Sequence, residues 1–71
     1  MDLKPMVVRV NGIQREIPNG STIDGLFELF HLSKKSVIFE LNQKVVDRKI
    51  YLVTQLKEGD RLEIVHFVGG G

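Results

Sequence analysis

The sequence contains no cysteine among its 71 residues, and this absence excludes several kinds of site. Without cysteine the chain has no disulfide framework, no thiol nucleophile and no Cys/His cluster for a metal. A chain of this length buries only about 60% of its unfolded surface, so apolar side chains alone must pack a small core. The lack of disulfides is compatible with a reducing compartment, and we expect a cytoplasmic domain.

Long apolar runs and an excess of one charge are also missing. No run approaches the roughly 18 apolar residues of a membrane span, and the start of the sequence lacks a signal-peptide pattern. Ten basic and nine acidic residues give a formal net charge of +1. That balance does not predict nucleic acid or an anionic membrane as a partner. We therefore expect one domain with neither kind of partner.

The first half of the sequence predicts a β-hairpin followed by a helix. Residues 6–10 and 13–17 are rich in β-branched residues, and Asn11-Gly12 between them is a strong signal for a tight hairpin turn. Alternation places one set of side chains toward the core, namely Met6, Val8, Val10, Ile13, Arg15 and Ile17. Ser21 and Thr22 are both suitable helix N-caps. A helical stripe then runs to about His31 through Ile23, Leu26, Phe27 and Phe30.

The second half predicts three more strands. These are residues 37–41, the short pair Val45-Val46 after a turn at residues 42–44, and residues 61–68 with Leu62 and Ile64 inward. Residues 47–57 show no regular pattern, and their hydrophobic side chains can cover one end of the core. These residues are Ile50, Tyr51, Leu52, Val53 and Leu56. The order ββαββ, an irregular segment and a final strand indicates an α+β fold, the ubiquitin-like β-grasp. Its mixed sheet has four to five strands with one helix packed across it, and its first and last strands are adjacent at the centre.

The predicted domain covers residues 6–68, after an unpatterned leader at residues 1–5, and a glycine tail follows it. Gly69, Gly70 and Gly71 have the narrowest cross-section of any residues and wide backbone freedom. They suit a tail that threads a slot closed to larger side chains, and we expect this tail to be flexible. The α-carboxylate of Gly71 is ionised at neutral pH and is a poor electrophile until it is converted to an acyl adenylate.

From Met6 to Gly71 the sequence resembles the ThiS family, the sulfur carrier proteins of thiamine biosynthesis. The resemblance depends on several short motifs at matching spacing: Val10-Asn11-Gly12, Gly20-Ser21-Thr22-Ile23 with Leu26, Leu41-Asn42 with Val45-Val46 and Arg48, Leu56 with Gly59-Asp60, Leu62-Glu63-Ile64 and the glycine ending. Each motif is weak alone, and their combination is specific. The sequence departs from the family in its leader and at Asp47, where the family often has proline.

The resemblance implies that this protein is a co-substrate and not an enzyme. An E1-like (ThiF-like) adenylating enzyme would activate the Gly71 carboxylate with ATP, so this protein would bind no cofactor of its own. A persulfide from a desulfurase pathway would then displace AMP and lead to a thiocarboxylate on Gly71. A thiazole synthase (ThiG-like) would take that sulfur.

Three apolar residues, Ile38, Val65 and Phe67, fall on strand positions that point away from the helix. Isolated exposed apolar residues are common, whereas three on adjacent central strands beside the tail are more informative. We interpret them as a docking patch for the adenylating enzyme and expect them to be exposed in the free domain.

Other functions remain open from the sequence. A MoaD-like subunit for molybdopterin synthesis, a carrier for tRNA thiolation and a conjugated modifier share this type of tail. A non-catalytic β-grasp binding module is an alternative of another class, since a superfold does not determine function. His31 and His66 lie in no catalytic motif, and Glu40, Asp60 and Glu63 lack metal-ligand spacing.

Overall fold

A five-stranded mixed sheet with one short helix forms the domain in the computed structural model, which describes residues 4–67. The elements in chain order are β1 (Met6–Val10), β2 (Ile13–Ile17), α1 (Ile23–Leu29), β3 (Val37–Leu41), β4 (Lys44–Val45), a 3-10 helix (Arg48–Ile50) and β5 (Arg61–His66). The order of strands across the sheet is β2-β1-β5-β3-β4. This architecture confirms the predicted β-grasp.

The first and last strands lie side by side at the centre, as expected. β1 and β5 are parallel, with Arg9 opposite Arg61 and Val10 opposite Leu62. β5 also pairs antiparallel with β3, from Val37 opposite His66 to Leu41 opposite Leu62. The strand that leads toward the glycine tail is therefore hydrogen-bonded on both sides.

The core contains three aromatic rings in mutual contact. Phe27 from α1 meets Phe39 from β3 edge-on with ring centroids 5.2 Å apart, and Tyr51 lies 5.6 Å from Phe39 and 5.9 Å from Phe27. Such pairs add about 0.5–1.5 kcal/mol beyond the burial of their area. Around the rings pack the other buried residues, which are Met6, Val8, Val10, Ile17, Ile23, Leu26, Val37, Leu56 and Leu62.

Helix α1 is shorter than predicted, because it ends at Leu29 and not near His31. Its N-cap is Thr22, whose hydroxyl accepts a hydrogen bond from the Gly25 amide. At the other end His31 takes a left-handed backbone with φ of 56°, and the Leu32 amide donates back to the carbonyl of Phe27. This is a Schellman ending, which usually has glycine at the left-handed position, so the histidine here did not predict it.

Two further predictions, about a strand boundary and about one core residue, were wrong. β4 covers Lys44–Val45, since Asn42 and Gln43, with φ of 51° and 73°, already close a two-residue turn. Ile13 is 58% exposed, because it lies beside a turn on an edge strand. Phe30 and Ile64 pack against the core as predicted, and both are partly buried.

Of the five residues of the irregular segment that were predicted to cover one end of the core, two are buried there. Tyr51 and Leu56 are buried, while Ile50, Leu52 and Val53 are exposed. Arg15, predicted to point toward the core, is exposed, and its guanidinium carbon lies 6.0 Å from the centroid of the Phe30 ring. No helix between residues 4 and 67 is long and apolar enough to span a membrane.

Candidate functional site

The last described residue of the chain, Phe67, is still attached to the sheet. Its amide donates to the carbonyl of Ser36 at 3.1 Å, one residue beyond the end of β5. β5 is thus held to β3 as far as the structure describes it. Gly69, Gly70 and Gly71, which were predicted to form the reacting tail, lie outside the described residues.

The side chain of Asn11 extends the pairing of β5 where β1 turns away. Its Oδ1 accepts from the Ile64 amide at 2.7 Å, and its Nδ2 is 3.5 Å from the Ile64 carbonyl as a donor. Its own amide donates to the carbonyl of Leu62 at 2.9 Å. The side-chain amide of Asn11 therefore takes the place of a backbone residue beside Ile64.

Asn42 does the same on the other flank of β5. Its Oδ1 accepts from the Arg61 amide at 3.0 Å, and its backbone amide donates to the Arg61 carbonyl at 2.8 Å. Its Nδ2 also donates to Asp60 Oδ1 at 3.1 Å. The sequence identified both asparagines as turn residues and as members of the family motifs, but not as partners of β5. Their φ angles are 49° for Asn11 and 51° for Asn42. Their bonds to β5 join residues distant in sequence, which turn propensity alone does not indicate.

Two of the three predicted docking residues lie side by side. Ile38 on β3 and Val65 on β5 are register partners, and both are half-buried rather than fully exposed. Neither belongs to the cluster of residues packed in the core. They form an apolar pair on the face of the sheet that α1 does not cover.

Phe67 is more exposed, at 39%, but it does not project freely. The guanidinium carbon of Arg48 lies 5.9 Å from the centroid of its ring, within the range of a cation–π contact. That guanidinium also donates to the carbonyls of Lys34 at 2.9 Å and Val37 at 3.1 Å. Arg48 thus connects the start of β3 to the residue after β5, next to the tail.

The remaining polar residues in the described part of the chain do not form a metal centre. Between residues 4 and 67 no group of three or more His, Cys, Asp or Glu side chains is placed to hold a metal ion. His31 and His66 are both exposed. The contacts between residues 4 and 67 therefore hold β5 in place as far as Phe67.

The sequence model of the ThiS family matches residues 8–71, nearly the whole chain and through to Gly71. This chain belongs to the ThiS family. The sulfur carrier protein ThiS of Bacillus subtilis is 42% identical over 50 residues, which cover 70% of this chain and 76% of that protein. The predicted family resemblance is therefore confirmed.

Two curated relatives are much longer proteins. A thiazole synthase of Magnetococcus marinus is 36% identical over 66 residues, and one of Paramagnetospirillum magneticum is 32% identical over 66 residues. The match covers 93% of this chain in both cases but only 20% of each relative. The chain thus spans about a fifth of the length of these two relatives.

Solved structures agree with the family assignment. The crystal structure of the thiamine biosynthesis protein ThiS from Geobacter metallireducens superposes with a TM-score of 0.80 at 29% identity, covering 93% of this chain and all of that one. A solution structure of a thiamine biosynthesis protein from the same organism gives a TM-score of 0.73 at 29% identity, covering 93% of this chain and 88% of that one.

Proposed function

We propose that this protein carries sulfur for thiazole formation in thiamine biosynthesis and that Gly71 is the residue that carries it. Membership of the ThiS family is the observation that supports this most strongly. The names of the Bacillus relative, a sulfur carrier, and of the two thiazole synthases favour the thiazole pathway over molybdopterin synthesis or tRNA thiolation.

In this proposal the Gly71 carboxylate attacks the α-phosphate of ATP on an adenylating enzyme and releases pyrophosphate. A persulfide sulfur then adds to the acyl carbon, and AMP leaves. Reduction of the resulting S–S bond by a thiol frees a thiocarboxylate on Gly71. This chain contributes the reacting carboxylate, while ATP, the persulfide and the catalytic groups belong to its partners.

The described residues support the role of a positioned donor. Asn11 and Asn42 hold β5 from both flanks, so the residues after Phe67 start from a fixed point on the domain. Positioning matters for such a reaction, because a misplacement of about 1 Å can cost a hundredfold in rate. Ile38, Val65 and Phe67 lie next to that starting point and serve as the docking patch for the adenylating enzyme.

Thiazole synthase is the proposed acceptor of the sulfur. In two relatives a region similar to this chain occupies one fifth of a protein that carries that name. A carrier and its acceptor that share one polypeptide meet at a high effective concentration. The separate chain would reach the same acceptor by binding.

Intact mass spectrometry of the protein purified from its native host tests this function. In cells growing without added thiamine, we expect a fraction whose mass is raised by the exchange of one oxygen for one sulfur. Fragmentation should place the change on Gly71. A matched protein lacking Gly71 should show no such species. Finding the unmodified mass alone under thiamine demand would contradict sulfur carriage.

A further inference from the structure

The hydrogen bond that attaches Phe67 to the domain differs from the regular pairing of β5. Its acceptor is the carbonyl of Ser36, the loop residue before β3, and not a residue of the strand. Within the loop, the Ser36 amide donates to the Ser33 carbonyl at 3.3 Å, which is long for a bond between N–H and oxygen. Ser36 therefore needs further support if it is to hold Phe67 in place.

Arg48 provides that support, because it binds the carbonyls on either side of Ser36. One guanidinium nitrogen donates to the Lys34 carbonyl at 2.9 Å, and the other donates to the Val37 carbonyl at 3.1 Å. The nitrogens of a guanidinium are held in a rigid planar fork, so two acceptors bound by it are kept at a set separation. The loop segment that contains Ser36 is thereby fixed at both of its ends.

The same guanidinium also contacts the donor residue of the bond. Its carbon lies 5.9 Å from the centroid of the Phe67 ring, within the range of a cation–π contact. Phe67 is 39% exposed and does not belong to the core cluster, so burial in the core does not hold it. Arg48 thus acts on Phe67 directly through the ring and indirectly through the neighbours of Ser36.

The segment that presents Arg48 is attached to Phe39 at both ends. Before Arg48, the Val46 amide donates to the Phe39 carbonyl at 3.0 Å. After it, the hydroxyl of the buried Tyr51 accepts from the Phe39 amide at 3.2 Å. The exposed side chain of Arg48 therefore extends from a backbone that is fixed on the core strand β3.

We propose that Arg48 is a positioning residue for the reaction at Gly71, because it fixes the point from which the tail leaves the domain. This inference rests on the proposed function. Four residues, 68–71, lead from Phe67 to the Gly71 carboxylate. Release of Phe67 would add at least one residue to the segment that the enzyme must position. Fixing the backbone of one more residue corresponds to about a tenfold loss in rate.

Arg48→Gln tests this role against Lys49→Gln, which removes the same charge from the next residue of the same 3-10 helix. The assay is ATP–pyrophosphate exchange with the adenylating enzyme of the same organism, at increasing concentrations of the full-length carrier. Arg48→Gln should lower kcat and kcat/KM together by at least about tenfold, as expected when an interaction that matters only in the transition state is lost. Lys49→Gln should match the wild type.

Hydrogen exchange in the free protein separates positioning from a general loss of stability. In Arg48→Gln the Phe67 amide should exchange at least about tenfold faster, while the Ile64 amide, bonded to Asn11, should keep its wild-type rate. General destabilisation would accelerate both amides. Arg48→Lys keeps the charge but offers one nitrogen instead of a fork, so its effects should be intermediate. It replaces Arg48→Gln if that protein fails to fold.

The outcomes separate this proposal from sulfur carriage. If the wild-type protein supports pyrophosphate exchange and Arg48→Gln equals Lys49→Gln, the positioning role is overturned and sulfur carriage is unaffected. A change in KM alone, or faster hydrogen exchange at both amides, would make Arg48 a binding or stabilising residue and would also overturn it. If the wild-type protein supports no pyrophosphate exchange, adenylation itself is contradicted, and the role of Arg48 fails with it.

Discussion

The hydroxyl of Tyr51 accepts a hydrogen bond from the backbone amide of Phe39 at 3.2 Å, inside the core. Phe39 belongs to β3, and its carbonyl pairs with the Val46 amide just beyond the two-residue strand β4. Tyr51 thus supplies the acceptor that this short edge strand does not. Tyr51, from the irregular segment, therefore both satisfies a backbone amide of the sheet and contributes a ring to the aromatic cluster.

Tyr51→Phe should therefore destabilise the domain although the ring remains. The change leaves the Phe39 amide buried without its acceptor, at a cost of about 1–3 kcal/mol. Chemical denaturation monitored by circular dichroism measures the loss. The control Val53→Ala truncates a side chain that is 76% exposed and should stay within about 0.5 kcal/mol of wild type. A Tyr51→Phe protein as stable as that control would show that the bond contributes nothing.

Two phenylalanines that the sequence places in the same core should contribute differently to the stability of the domain. Phe39 is fully buried between two other rings, so Phe39→Ala should cost about 3–5 kcal/mol. Phe30 is only partly buried at the helix C-cap, and Phe30→Ala should cost less than about 3 kcal/mol. Equal losses in thermal unfolding would contradict the difference in their packing.

Periodicity predicted most of the fold because alternation and the helical stripe record which side chains are buried. Leu26, Phe27, Phe39 and Leu62 were placed correctly by that rule alone. It could not place the helix end, where His31 adopts a backbone that usually needs glycine. Nor could it choose Tyr51 over its apolar neighbours, since that choice depends on a partner twelve residues away.

The candidate site was predictable in part for the same reason. Alternation correctly put Ile38 and Val65 on one face, while their half-burial depends on the strands beside them. The bonds from Asn11 to β5 come from a segment more than fifty residues distant in sequence. Local patterns carry no information about such contacts.

Asn11→Gly should loosen β5 without introducing backbone strain. Glycine accepts the positive φ of 49° at this position, so the substitution removes the side-chain bonds to Ile64 selectively. We expect faster hydrogen exchange at the Ile64 amide and a loss of about 1 kcal/mol. Gln43→Gly, at a turn residue with φ of 73°, is the matched control. The same exchange rate at Ile64 in both variants would contradict the role assigned to Asn11.

Phe67→Asp should weaken binding to the adenylating enzyme and leave the fold intact. Phe67 lies outside the core cluster and is 39% exposed, so a normal melting curve is expected. An aspartate in an apolar interface is desolvated without a partner, and an affinity loss of at least about tenfold should follow. Calorimetry measures the affinity, with Leu52→Asp as the exposed control away from the patch. Unchanged binding would remove Phe67 from the docking patch.

The tail itself should control activation and not stability. Deleting Gly71, or adding an alanine after it, leaves the described core unchanged. The free energy of unfolding of both proteins should therefore lie within about 0.5 kcal/mol of the wild-type value. The added residue moves the terminal carboxylate by up to about 3.5 Å, and the deletion withdraws it by a similar distance. Either displacement exceeds the roughly 1 Å that can cost a hundredfold in a geometry-dependent attack.

ATP–pyrophosphate exchange with the adenylating enzyme distinguishes the three tails in a single assay. We expect exchange from the wild-type protein and a loss of at least about a hundredfold from both variants. Because the docking patch is unchanged in all three proteins, binding measured separately should be retained. Retained binding would assign the loss of exchange to the position of the carboxylate. Equal exchange from all three proteins would contradict Gly71 as the activated residue and would favour a binding module without a reacting tail.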